Sequence, residues 1–184
     1  MSATRHENES LRDATLDDAA VIAEIYNEAI RAGNASMDDD EKTTDDILRQ
    51  MKSFGPRETY ILLEREEEGS PRVIGWGIIK KYSDRPGYRF CCETSVYLRF
   101  SEVGGGRGSR MKRALIERCR EYGYHHLLAR IFADNVVSIE YNRKLGYEMV
   151  GVQREIGYKN GRWQDVAVMQ LILDDVQPES SPES

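Results

Sequence analysis

The chain predicts a single mixed α/β domain: a mostly antiparallel sheet of six to seven strands with helices on both faces. Three observations carry that prediction. Candidate strands at 59–63, 73–82 and 88–98 follow one another with no helix between them, which implies antiparallel pairing. A strand–helix–strand run from 93 to 132 then implies one parallel crossover. At 184 residues, 40% of them hydrophobic, the chain is about one domain long and can bury a real core.

Residues 1–9 read as a flexible polar tail, 10–173 as the domain, and 174–184 as a disordered tail rich in Ser, Pro and Glu. Residues 10–14 make a short first strand. Thr15-Leu16-Asp17-Asp18 has the form of a helix start with acids in the first turn, and Ala19, Ile22, Ala23, Tyr26 and Ile30 follow at helical spacing. A second helix covers about 44–53. The strands 59–63 and 73–82 are joined by a charged turn at 66–71, and 88–98 is a third strand. The helix at 109–122 ends at Gly123, which suits a left-handed cap. A strand at 127–132, a helix at 136–145 closed by Gly146, and strands at 147–158 and 162–173 complete the order. Asn160-Gly161 between the last two is a strong hairpin signal.

With 26 basic and 32 acidic residues the net charge is −6, and Lys and Arg are dispersed among acids, so nothing offers nucleic acid an electrostatic hold. No apolar run approaches the roughly 20 residues a helix needs to span a bilayer. The first ten residues hold no apolar signal core. A cytoplasmic protein that binds neither nucleic acid nor membrane is expected. Cys91 and Cys92 are adjacent on a strand and point to opposite faces, while Cys119 lies on a helix; inert buried thiols are expected. His6, His125 and His126 lack the spacing of metal ligands, and no metal is expected.

The chemistry concentrates between 91 and 115. An alternating strand carrying one acid, Glu93, feeds Val103-Gly104-Gly105-Gly106-Arg107-Gly108-Ser109, which opens an amphipathic helix. Glycines let bare backbone N–H groups approach an anion closely, and the helix N-terminus adds its positive end. Phosphate is the natural ligand of that arrangement, although a glycine-rich turn can also simply join two elements. The loop lacks the Gly-Lys-Ser/Thr of a Walker A motif. Gly104, Gly106 and Ser109 come nearer a dinucleotide fingerprint, but only about 50 residues remain after the next strand, too few for further βαβ units. A phosphate grip beside a buried acid points to group transfer from a phosphorylated carrier.

The glycine loop with its flanking strand and helix, Asn135-Val136-Val137-Ser138, and Leu145-Gly146-Tyr147 together resemble the GCN5-related N-acetyltransferase (GNAT) superfamily over about residues 10–173. Within it the chain is similar to the phosphinothricin and methionine sulfoximine/sulfone acetyltransferase group. The residues that carry this are Leu11-Arg12-Asp13-Ala14-Thr15, Ile25-Tyr26-Asn27, Arg85-Pro86-x-Tyr88, Glu93-Thr94-Ser95-Val96-Tyr97-Leu98 and Asn160-Gly161-Arg162-Trp163-Gln164-Asp165. The resemblance implies transfer of the acetyl group of acetyl-CoA to the amine of a small amino-acid-like substrate. The same analogy implies no metal and a homodimer.

It also implies roles for residues. Gly104, Gly105, Gly106, Arg107, Gly108 and Ser109 would hold the pyrophosphate, with Arg110 as a possible helper. The main chain of Val96, Tyr97 and Leu98 would grip the acetyl and pantetheine groups and supply oxyanion donors. Asn135 and Ser138 would add cofactor contacts, and Asn135 also suits the N-cap of its helix. Glu93 is implied as the general base that takes a proton from the ammonium before attack; the competing role is a buried acid satisfied by an arginine such as Arg89. Arg85 and Pro86 fall in the group's substrate loop, where a guanidinium can pair with a carboxylate or phosphinate. Thr94 and Ser95 would present small polar surfaces near the amine.

Two positions depart from the family pattern. Val103 stands where Arg or Gln is usual, and Asn142 stands where a Tyr or His acid is usual. Tyr141 is adjacent but is expected about 100° away on the helix, so no general acid is assigned. The same fold also serves transfer to a protein N-terminus, a lysine or a polyamine, and it can persist as an acyl-CoA-binding sensor without turnover.

Overall fold

The strands are β1 (Glu9–Asp13), β2 (Thr59–Glu67), β3 (Ser70–Lys81), β4 (Cys91–Leu98), β5 (His126–Phe132), β6 (Glu148–Lys159) and β7 (Arg162–Ile172). The helices are α1 (Ala19–Ala32), α2 (Thr44–Lys52), α3 (Arg107–Glu121) and α4 (Val136–Lys144). This computed structural model describes residues 8–33 and 35–177; most of both expected tails, and His6, lie outside the described residues. One seven-stranded sheet runs in the order β1-β2-β3-β4-β5-β7-β6, with every neighbouring pair antiparallel except β4 and β5. The single parallel pair is the product of the α3 crossover.

Strand alternation divides the core between the two faces. Ile61 and Leu63 of β2 join Cys92, Met111, Leu115, Cys119 and Leu127 on the α3 side. Tyr60 and Leu62 join Ile22, Ile25, Ile47, Trp76 and Ile78 under α1 and α2. Trp76 Nε1 donates to the Ile22 carbonyl at 3.1 Å, which fixes α1 to the middle of the sheet. Cys92 and Cys119 lie side by side in the core as free thiols, and burial pushes the Cys92 thiol up.

The structure moves several expected boundaries. β2 and β3 run on to a turn at Glu68-Gly69, where both φ angles are positive (50° and 83°), so most of the charged 66–71 segment is strand. β4 starts at Cys91 rather than 88, because Pro86–Tyr88 turn as a 3-10 helix with proline at the first position. Thr15 and Asp18 form a capping box around another 3-10 turn before α1 begins. The Asn160-Gly161 hairpin forms as expected, with φ of 51° and 75°. Both ends of the domain are tied down. Glu9 is buried in β1, and Val176 packs on the core while Asp175 pairs with Arg120 at 2.9 Å.

Candidate active site

The site begins where β4 and β5 stop pairing. Their register covers only Cys91–His126, Cys92–Leu127 and Glu93–Leu128, after which the strands diverge. The Tyr82 N–H donates to Cys91 O, and the Arg99 N–H donates to Ile74 O, so the odd-numbered residues of β4 turn their main chain toward β3. Alternation then points the N–H groups of Val96 and Leu98 into the gap. Tyr97, expected to contribute its amide there, turns that amide to β3 instead and contributes its ring to the cavities on either side.

Beneath the gap lies a narrow cleft of about 60 Å³ lined by Thr94, Val96, Lys112, Asn135, Ser138, Tyr141 and Asn142. Lys112 is buried on α3; its Nζ donates to Thr94 Oγ1 at 2.6 Å and Thr94 O at 3.2 Å, and it stands 4.8 Å from the Tyr147 ring centre. The lysine thereby satisfies a carbonyl that β5 has left unpaired. Thr94 Oγ1 lies within 3.2 Å of Tyr147 OH. Thr94 is therefore in the cleft, on the opposite face of the sheet from Glu93 and not beside it as expected; of the two, only Ser95 shares Glu93's face.

Asn135 caps α4 through Oδ1, which accepts from Ser138 N–H at 3.1 Å. Asn142 Nδ2 donates to Ser138 O at 2.8 Å, which fixes the amide orientation. Its Oδ1 is left as the one buried side-chain polar atom without a hydrogen-bond partner among the described residues. Such an atom calls for a donor from outside the chain. Tyr141 also lines the cleft despite its different helical angle, because its long side chain leans back toward Gly108, packing 3.7 Å from where a Cβ would stand. Burial raises the Tyr141 phenol, which holds its proton more tightly, and lowers the Lys112 ammonium to about 8.

At the mouth of the cleft, Gly104, Gly105 and Gly106 all adopt positive φ (103°, 61° and 83°), and nothing stands within 4 Å of a Cβ built on Gly104 or Gly106. Gly106 caps α3, and the Gly108 and Ser109 N–H groups fall in its first turn, where helical N–H groups lack intrahelical acceptors. The cradle is thus backbone throughout. The Arg107 and Arg110 side chains are held by Glu9. Arg107 Nε donates to Glu9 Oε1 at 2.6 Å, and Arg110 holds Glu9 Oε2 and Glu9 O at 3.0 and 2.9 Å. Buried Glu9 and Glu102 draw these guanidinium groups to the β1 side. Val103 is exposed.

On the other face, Glu93 opens into a groove of about 370 Å³ lined also by Tyr26, Met37, Ser95, Tyr97, Arg130 and Tyr158. Glu93 Oε2 accepts from Arg130 at 2.8 Å. Arg89, the partner considered from sequence, instead donates to Pro86 O and lies over Phe90. Arg85 and Pro86 are exposed in the 83–90 loop and line neither the cleft nor this groove. A third cavity of about 700 Å³ runs beneath α2 and meets the groove at Tyr26, Ser95 and Tyr97. No group of His, Cys, Asp and Glu placed to hold a metal ion occurs among the described residues, and no helix there is long and apolar enough to cross a membrane.

A backbone anion cradle, a splayed strand pair and an acid at the point of divergence sit together on one mixed sheet. A family model described as an acetyltransferase (GNAT) domain matches residues 11–168. The chain belongs to the GNAT acetyltransferases. This GNAT enzyme is 36% identical over 166 residues to the L-methionine sulfoximine/L-methionine sulfone acetyltransferase of Pseudomonas aeruginosa, covering 90% of this chain and 95% of that protein. It is 31% identical over 162 residues to a phosphinothricin N-acetyltransferase of Alcaligenes faecalis, covering 86% of this chain and 79% of the other. Its fold superposes on a GNAT phosphinothricin acetyltransferase from Sinorhizobium meliloti in complex with acetyl-CoA, with a TM-score of 0.85, 30% identity and 94% of each chain covered.

Sequence reasoning missed Arg130 and Lys112, and each left a faint signal. Arg130 is a lone charge inside the apolar run Leu127-Leu128-Ala129-Arg130-Ile131-Phe132. Lys112 sits within the apolar stripe of Met111, Leu115, Ile116 and Cys119.

The Lys112→Met variant tests the buried ammonium. Burial lowers Lys112 from 10.5 to about 8, so the folded state carries a penalty below pH 8 that disappears as pH approaches 10.5. Chemical denaturation at stepped pH should show the parent protein gaining stability relative to the variant across that interval. A pH-independent difference would show that Lys112 is not held as a buried cation.

Proposed function

We propose that this acetyltransferase moves the acetyl group of acetyl-CoA to the amine of a small amino-acid-like acceptor of the methionine sulfone, methionine sulfoximine or phosphinothricin type, with Glu93 as general base. The observation that carries the reading is the place of Glu93. It is the last residue of β4 paired to β5, and it lines the groove, which meets the cleft at Ser95, Tyr97 and Arg130. The named activities of the relatives from Pseudomonas and Alcaligenes support the acceptor class.

The residues fit the donor. The glycine loop and the first turn of α3 offer backbone N–H groups to a pyrophosphate. Val96 and Leu98 offer N–H groups along the gap, and Asn142 Oδ1 offers an acceptor still lacking its donor. When bound, acetyl-CoA supplies an acetyl thioester whose C–S bond breaks, with loss of CoA thiolate, as the N–C bond to the acceptor forms. An acceptor amine is mostly ammonium near neutral pH and attacks only after losing a proton. Glu93 receives that proton on the groove side, while Tyr97 and Tyr26 wall the acceptor from the third cavity.

That third cavity has acids along its rim, which raises a polyamine as an alternative acceptor. Three of its acids are paired, Asp38 with Lys42 at 3.3 Å, Glu41 with Arg31 at 2.9 Å, and Asp46 with Arg49, in pairs partly open to water. The named activities of the relatives favour the amino-acid acceptor.

The last hairpin carries a second part of the proposal. β6 is the outer strand and exposes Val150, Val152, Ile156 and Tyr158, with Trp163 beside them on β7. A second copy of the chain is the occupant we assign to this edge, because an apolar edge strand left open is a pairing template. Light scattering is expected to give twice the 21.1 kDa chain mass, and a Val152→Lys, Ile156→Lys variant to give one. A monomeric parent protein would refute the assignment.

Release of free thiol from acetyl-CoA should be seen with methionine sulfone, methionine sulfoximine or phosphinothricin, and not with spermidine or a basic peptide. Glu93→Gln should lower kcat by about 100-fold or more with little change in the acetyl-CoA KM. A kcat unaltered by that substitution from neutral to mildly alkaline pH would remove Glu93 as the base. Thiol release only with spermidine would overturn the acceptor class.

A further inference from the structure

Arg130 lies near the middle of β5 and is placed on both cavities of the site, the cleft and the Glu93 groove. One guanidinium N–H group is on Glu93 Oε2 at 2.8 Å, yet half of the side chain remains exposed. A guanidinium has five N–H donors in a planar fork that matches a carboxylate. Ion pairs this open to water are weak and readily exchanged. Among the described residues lining the groove, Arg130 is the only cation and Glu93 the only carboxylate. The rest of the wall is largely apolar or aromatic, including Met37, Ile156 and Tyr158.

An anion and a cation in contact on the wall of such a groove are the complement of a zwitterion. We propose that the Glu93–Arg130 pair is the receptor for the head group of an α-amino acid, and that the acceptor opens the pair when it binds. This rests on the proposed acetyl transfer to an amino-acid-like amine. The acceptor's ammonium replaces Arg130 at Glu93, and its carboxylate takes the guanidinium fork.

The exchange couples recognition to chemistry. In the closed pair, Arg130 occupies the carboxylate that the acceptor's ammonium must reach. Once Arg130 has turned to the substrate's carboxylate, Glu93 faces the ammonium without that competitor. One proton passes from the ammonium to Glu93, the freed lone pair forms the N–C bond, and as the C–S bond breaks the nitrogen gives up its second proton, which neutralises the departing thiolate as the free thiol of CoA. Lys80, in register with Glu93 on β3, lines the third cavity and not the groove. An amine without a carboxylate has nothing to draw Arg130 away and meets a Glu93 carboxylate that is still occupied. Selectivity for the acid over its amide is therefore built into the base itself. This places the carboxylate anchor on β5 and not on exposed Arg85.

The test compares methionine sulfone with its carboxamide, as kcat/KM, in the parent enzyme and in Arg130→Gln and Arg130→Lys. The parent should prefer the acid, and Arg130→Gln should cut that preference by about tenfold or more. Arg130→Lys, which keeps the charge without the fork, should restore part of it. The acetyl-CoA KM should not follow these changes. An acid-to-amide ratio unaltered in Arg130→Gln, with acetylation retained, overturns the inference and leaves the proposed function standing. A rise in acetyl-CoA KM that accounts for the whole loss also overturns it, because Arg130 would then serve the donor. Failure of the parent enzyme to acetylate any amino acid overturns the proposed function and this inference with it.

Discussion

The structure depends on a short pairing. β4 and β5 are brought side by side by the α3 crossover, stay in register for three residues, and then part at Glu93 and Leu128. A parallel pair that ends early leaves main-chain donors and acceptors without partners in the middle of a sheet, where water is scarce. Each such group costs on the order of 1–3 kcal/mol if nothing meets it. The chain meets only part of the debt itself: Lys112 reaches across from α3 to the Thr94 carbonyl. The amides of Val96 and Leu98 and the orphan Oδ1 of Asn142 remain open to a ligand that can both donate and accept. A cleft with this pattern suits a pantetheine arm, whose amides do both.

Charge is concentrated behind the glycine loop, in pairs within the frame. Glu9 and Glu102 are buried carboxylates, and Arg65, Arg107 and Arg110 converge on them from β2 and from the start of α3. The network anchors the glycine loop to β1 and leaves the loop's outer side to backbone N–H groups. Burial of paired charge is weak evidence for stability; here its visible consequence is geometric. The loop is braced from behind.

Much of this was legible in the chain. The three glycines required positive φ, Asn160-Gly161 required a tight hairpin, and a single acid on an alternating strand announced Glu93. What escaped was set by contacts distant in sequence. Arg130 meets Glu93 across 37 residues and Lys112 meets Thr94 across 18, and no local pattern encodes either meeting. Arg107 and Arg110 looked like phosphate ligands because they neighbour the glycines, but their carboxylate partner lies about a hundred residues away in β1. Thr94 was grouped with Glu93 by adjacency, although a period of two already puts neighbours on opposite faces. Proximity along a strand misleads where alternation decides.

The central claim is that the divergence of β4 from β5 makes the donor site, and amide NMR of the uniformly labelled protein titrated with CoA tests it most directly. The account predicts that the amides of Val96, Leu98, Gly106, Gly108 and Ser109 shift together on saturation, while that of Tyr97, turned to β3, moves little. Saturable binding that leaves Val96 and Leu98 unperturbed, or that shifts Tyr97 as strongly as they do, would contradict it.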